Sequence, residues 1–128
     1  MSDAVLDSSA IMAVLNSEPG QDIVLPLLQG AQVSTLIVAE VATILVRTGW
    51  RPEAAADRVE ALEFVAHDFT YDRAVAAGLL MAKTAGRGLS LADRACVALA
   101  LELDLPVFTA DRSWALVKNL GLDLHLIR

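Results

Sequence analysis

Four short apolar runs punctuate this chain, each followed by a stretch whose apolar residues recur at helical spacing, and no other feature narrows the choice of fold as far. Ala4-Val5-Leu6 reads as a buried strand, and the Asp7-Ser8-Ser9 behind it supplies N-capping side chains to a helix reaching Asn16. Pro19-Gly20 closes that unit. A second helix is expected over 21–28, stopped by Gly30, with a second strand over 31–34. From Thr35 to Thr48 the residues Leu36, Ile37, Val41, Ile44 and Leu45 repeat at three and four positions up to Gly49, the pattern of a buried helix. Pro52 starts another helix over 53–64, followed by a third strand near 68–70. A helix opened by Tyr71 or Asp72 runs to Thr84, before the flexible Gly86-Arg87-Gly88. Ser90 begins a strongly apolar helix to Leu103, Pro106 to Thr109 form the fourth strand, and a last full helix over 112–120 precedes 124–127. Such alternation predicts a parallel sheet with helices on both faces, an α/β sandwich.

No linker-like tract or charge block divides the 128 residues, so one domain over 1–128 is expected. Hydrophobic residues make up 55% and aromatics only 5%, so the core must come mainly from Leu, Val, Ala and Ile. Cys96 is the only cysteine, which excludes an internal disulfide and a cysteine-rich zinc site and suits a reducing cytoplasm. The start of the chain lacks a basic segment followed by an apolar one, and Glu40 interrupts the most apolar stretch. Neither export nor membrane insertion is therefore expected. The net charge of −6 argues against simple electrostatic capture of nucleic acid, which needs clustered Lys and Arg. Carboxylates gathered around bound divalent cations would weaken that argument, so the placement of the acids becomes the question.

In an open parallel sheet the ligand site lies beyond the carboxyl ends of the strands. Asp7 follows the first strand, Asp93 lies in the first turn after the glycine loop, and Asp111 comes just after the fourth strand. Glu40 lies in the second turn of its helix, with its side chain tilted back toward the same edge. Each also has a purely structural reading: Asp7 and Asp111 as N-caps, Asp93 as partner of Ser90 in a capping box. Glu40 is harder to explain that way, being the only charge between Ala31 and Val46. Carboxylates gathered in a partly buried cleft repel one another unless a cation lies between them. Oxygen ligands without nearby His or Cys point to magnesium or manganese, and such ions activate water for attack on a phosphodiester.

The ordered set Val5-Leu6-Asp7-Ser8-Ser9-Ala10, Ala39-Glu40-Val41, Leu89-Ser90-Leu91-Ala92-Asp93-Arg94-Ala95-Cys96 and Thr109-Ala110-Asp111-Arg112 with Trp114 resembles the PIN-domain ribonucleases, and within them the VapC-like toxins of type II toxin–antitoxin pairs. The resemblance implies a Rossmann-like three-layer α/β/α sandwich with a mainly parallel central sheet. It further implies an endoribonuclease dependent on Mg2+ or Mn2+. Asp7 and Asp93 would be the principal metal ligands, Glu40 and Asp111 would complete the catalytic quartet directly or through water, and Thr109 would keep the site in order. The implied partners are single-stranded RNA as substrate, a cognate VapB-like antitoxin that wraps the protein, and a second copy in a homodimer. The helices over 33–46 and 53–64 are expected as partner surfaces because their non-core sides are not strongly charged throughout.

Other polar residues carry less. Arg94 and Arg112 adjoin site acids and read as phosphate contacts or as simple ion pairs, Arg87 as a mobile phosphate contact, and Ser8 as a helix cap. His67 and His125 lack partners at metal-ligand spacing, Cys96 reads as a buried thiol, Trp114 as packing for the last helix, and Trp50 as either core or partner surface. Two phosphoryl-transfer alternatives fail on residues: a haloacid-type phosphatase needs an Asp where Ser9 stands, and a receiver domain needs a Lys after the last strand. A non-catalytic PIN-like scaffold is the alternative of a different class.

Overall fold

In the computed structural model, which describes residues 3–128, five strands form one sheet. They are β1 (Val5–Leu6), β2 (Gln32–Ser34), β3 (Val65–His67), β4 (Val107–Thr109) and β5 (Leu124–Leu126). Met1 and Ser2, part of the N-terminal reading above, lie outside the described residues. The order is β3-β2-β1-β4-β5 and every pairing is parallel. Val5 pairs with Gln32 on one side and Val107 on the other, so β1 is central, and Val5 and Leu6 are fully buried. A strand covered on both faces needs such an unbroken apolar run.

Seven helices cover the sheet: α1 (Ser8–Leu15), α2 (Gln21–Val24), α3 (Thr35–Arg47), α4 (Pro52–Glu60), α5 (Tyr71–Leu79), α6 (Met81–Thr84) and α7 (Leu91–Leu103). This is the expected α/β/α sandwich. Strand order reverses at β1: the chain steps outward to β2 and β3, then returns to place β4 and β5 on the other side. Such a switch opens a crevice at the carboxyl ends of β1 and β4, and Asp7 and Asp111 follow those two strands. Among the described residues no helix is long and apolar enough to cross a membrane.

Several expected boundaries are corrected. The third strand is Val65–His67, not 68–70, because α4 ends at Glu60 and Glu63 takes a left-handed conformation (φ 55°) that turns the chain onto β2 early. The helix expected over 53–64 is shorter for the same reason. The helix expected over 21–28 stops at Val24 and passes into a 3-10 turn, Leu25–Leu27, because Pro26 has no N–H to continue the ladder. The stretch over 72–84 divides at Leu80, where the Lys83 N–H returns to the Leu80 carbonyl in a tighter bond. The last helix is 3-10 in character, Arg112–Leu120, with Val117 at φ −116°. Its inward residues, Trp114 and Val117, are three apart, and a 3-10 turn sets such a pair directly one above the other.

The Gly20 turn, which the sequence marks only as a break, also ties the two ends of the chain together. Gly20 adopts φ +95°, and a Cβ there would lie 2.6 Å from the Ile127 carbonyl oxygen. Gly20→Ala is therefore expected to destabilise the protein by about 2 kcal/mol, read as a lower urea midpoint at unchanged slope.

Candidate active site

The first carboxylate of the switch-point crevice is built into the backbone. Asp7 caps α1: its Oδ1 accepts the Ala10 N–H at 2.9 Å. Its Oδ2 accepts the Thr109 hydroxyl at 2.5 Å, and the Ser9 hydroxyl stands 2.7 and 2.9 Å from the two oxygens. Asp7 is only 2% exposed, and this burial pushes its carboxyl up to about 6, against the hydrogen bonds from Thr109, Ala10 and Ser9; the charge of Asp93 adds to the rise. Thr109, itself fully buried at the end of β4, accepts the Asp111 N–H at 3.0 Å, and the Ser9 oxygen accepts the Ala110 N–H at 2.9 Å. Two hydroxyls thus stitch the end of β1 to the turn after β4.

The other acids are held by one oxygen each. Asp93 closes a capping box at the start of α7, its Oδ2 accepting the Ser90 N–H at 3.0 Å while the Ser90 hydroxyl accepts the Asp93 N–H at 3.1 Å. Asp111 caps the 3-10 segment, its Oδ1 accepting from the Ser113 N–H and hydroxyl at 2.9 and 2.7 Å. Glu40, half-buried on α3, accepts a short hydrogen bond from the Ser8 hydroxyl on Oε1. Asp93 Oδ1, Asp111 Oδ2 and Glu40 Oε2 are left with no hydrogen-bond donor among the described residues. The structural and chemical readings of these acids therefore coexist, since each local cap occupies one oxygen and spares the other.

Electrostatics joins the four. Burial raises the Asp93 carboxyl above its ordinary range, and the negative charges of Glu40 and Asp111 add to it. The leading influences on Asp7 and Asp93 include no basic side chain. Cys96, buried one turn beyond Asp93, has its thiol pushed well up by burial and then by Asp7, Asp93 and Glu40, so it is an inert neighbour. This donor set of carboxylate and hydroxyl oxygens, with uncompensated negative charge, fits a hard divalent cation. Among the described residues no three acidic, His or Cys side chains stand close enough to share one ion. An ion would therefore meet carboxylates one or two at a time and keep waters of its own, as magnesium commonly does.

Arg94 and Arg112 form neither of the ion pairs open to them among the described residues. Arg94 leans to the Ser90 carbonyl at 3.4 Å, Arg112 donates to the Arg128 carbonyl at 3.2 Å, and Arg87 donates to the Leu116 carbonyl at 2.7 Å. Each of the three instead donates to a backbone carbonyl. Ser8 is not the α1 cap; Asp7 takes that place and Ser8 turns to Glu40. His67 meets Gln32 at 2.5 Å, and His125 meets Asp123 at 2.9 Å while stacking on Phe108. Trp114 is fully buried. Ser9 was not singled out from the sequence, although its place two residues after a strand-end Asp was the available signal. A separate apolar cavity of about 370 Å³, lined by Phe69, Leu80 and Leu99 between α5 and α7, contains none of the four acids.

The family model for the PIN domain matches residues 4–120. No curated protein matches the chain. Among solved structures, a toxin–antitoxin complex from Klebsiella pneumoniae superposes with a TM-score of 0.75 at 15% identity, covering 98% of this chain and 98% of that one. A sarcin–ricin-loop-cleaving VapC toxin of Mycobacterium tuberculosis superposes with a TM-score of 0.75 at 16% identity, covering 89% and 94%. A DNA-bound VapBC from Salmonella typhimurium does so with a TM-score of 0.74 at 18% identity, covering 100% of each chain. At these identities the likeness is one of fold.

Proposed function

The chain belongs to the PIN-domain family, and from that premise we propose that it is a metal-dependent endoribonuclease that hydrolyses RNA phosphodiester bonds as the toxin of a VapBC-type toxin–antitoxin pair. The observation that carries this reading is the buried Asp7, raised toward neutrality and facing further carboxylates whose second oxygens have no donor. An isolated cluster of this kind is unfavourable, and a cation relieves it. Asp7 and Asp93 are assigned as the principal ligands of Mg2+ or Mn2+, with Glu40 and Asp111 completing the set directly or through water. A bound divalent ion supplies positive charge for the phosphate and lowers the pKa of water toward neutral.

The chain's own residues do the positioning. Thr109 and Ser9 fix the plane of the Asp7 carboxylate from the carboxyl ends of two neighbouring strands, and the capping box fixes Asp93 relative to the α7 backbone. Ser8 directs Glu40 toward α1 and leaves its other oxygen open. Thr109→Val keeps the shape but removes the hydroxyl from Asp7, and is expected to lower the cleavage rate by roughly 10–100-fold, recovered in part by Thr109→Ser.

The direct test is incubation of purified protein with total RNA in Mg2+ or Mn2+ beside an EDTA control. Site-limited cutting that EDTA stops supports the proposal, and metal-independent cutting counts against it. One observation favours a second reading, a non-catalytic scaffold: no three of the described acids stand close enough to share an ion. That reading predicts that calorimetry detects neither Mg2+ nor Mn2+ binding. We also propose a VapB-like antitoxin as partner and a homodimer as the working form. Light scattering behind size exclusion is expected to show twice the chain mass, and a monomer would count against the dimer.

A further inference from the structure

A groove of about 340 Å³ runs along α3 from Glu40, with Leu36, Ile44 and Ala92 as its apolar floor and Arg47 at its far end. Ala92 precedes Asp93, so the groove opens directly beside the acids. Leu36, Glu40, Thr43 and Arg47 are spaced to share one face of the helix, and Arg47 lies two turns, about 10 Å, beyond Glu40. Cations are scarce in a chain of net charge −6, and several are already engaged: Arg73 with Glu102, Arg128 with Glu18, Arg87, Arg94 and Arg112 with carbonyls. Arg47 has no hydrogen-bond or ion-pair partner among the described residues, and neither has Arg51, four positions on. Between them Gly49, at φ +110°, turns the chain, and Trp50 follows with 40% of its surface exposed. An exposed aromatic between two unpaired guanidinium groups is the combination that binds single-stranded nucleic acid: cations for phosphates, a ring face for a base.

We infer that this groove carries the RNA strand flanking the scissile bond, with Arg47 holding a neighbouring phosphate, Trp50 stacking a base beyond it, and Arg51 adding charge at the exit. The inference rests on the ribonuclease reading and extends it to the direction in which the substrate leaves the acids. It explains how an acidic protein holds a polyanion: the acids face a single phosphate through cations, while two arginines and a ring take the flank.

The test pairs kinetics with a binding signal that does not depend on cutting. In wild-type protein with Mg2+, a single-stranded RNA oligonucleotide is expected to quench tryptophan emission. Trp114 is buried, so the signal belongs to Trp50. Trp50→Phe is expected to lose the quench and keep most of the affinity, while Trp50→Ala weakens binding by about 10-fold. Arg47→Ala is expected to raise KM about 10-fold with kcat little changed, and to flatten the dependence of log affinity on log salt by about 0.7. Arg47→Lys, which keeps the charge near the end of α3, should restore most of that salt slope. Quenching without cutting keeps the groove as a binding surface for single-stranded RNA but overturns the ribonuclease reading, and with it the placing of that strand beside a scissile bond. Cutting with no quench and an unchanged KM in Arg47→Ala overturns the inference alone. Absence of both overturns both, and a Trp50→Ala protein that turns monomeric with unchanged KM assigns the ring to a protein interface instead.

Discussion

Replacing Asp93 by Asn is expected to reduce metal-dependent RNA cleavage by roughly 10³-fold while leaving the protein folded. The two halves of that result have separate causes. Asp93 holds the Ser90 N–H through Oδ2, and an amide oxygen at the same place can still accept that bond, so the start of α7 survives. What disappears is the negative charge beside Asp7, Glu40 and Asp111 and, on the proposed function, a ligand of the cation. Initial rates of oligonucleotide cleavage in Mn2+, with far-ultraviolet circular dichroism as the check on folding, measure both. Equal cutting by Asp93→Asn and wild type would remove Asp93 from the site.

The second large effect is on stability. Asp7 is raised from 3.8 to about 6 in the folded protein, so the native state holds its proton more tightly than the unfolded chain does. Below the unfolded value both states are protonated and Asp7 imposes no penalty. As pH rises through the interval the unfolded chain ionises first, and above about 6 the buried charge costs about 3 kcal/mol. Roughly half of that accrues between pH 5 and 7.5, and the raised Asp93 acts in the same direction. In EDTA the melting temperature is therefore expected to be higher at pH 5 than at pH 7.5. Mg2+ or Mn2+ should raise it at pH 7.5 and hardly at pH 5, because the ion competes with the proton for the same oxygens. Asp7→Asn should flatten both responses. A melting temperature that climbs from pH 5 to 7.5 without metal would contradict the assignment of a costly buried charge.

Much of this was readable before any coordinates. The central strands were, because burial on both faces leaves an apolar run such as Val5-Leu6 that little else explains. The edge was not: β3, exposed along Val65 and Ala66, carries no strong pattern, and its position follows from where α4 stops. The helix over 112–120 misled because apolar spacings of three occur in both helix types, and only packing of Trp114 and Val117 selects the tighter one. For the site, the strand-end rule placed Asp7, Asp93 and Asp111 on one edge as an expectation, and the tilt of its side chain toward the start of its helix added Glu40. It was silent on the hydroxyls. Ser8 reaches Glu40 across 32 positions and Thr109 reaches Asp7 across 102, and such long-range pairings leave no local trace.

The seam between β1 and β4 has a consequence in the time of synthesis. Asp7 leaves the ribosome 102 residues ahead of Thr109, and Ala110 and Asp111, which complete its surroundings, come later still. At about 5–20 residues per second, a growing chain spends several seconds with its first carboxylate lacking the partners that orient it. An activity that depends on that arrangement cannot begin before β4 and the turn after it have been made. The pairing of first strand with fourth therefore sets an interval between the making of Asp7 and the completion of its surroundings.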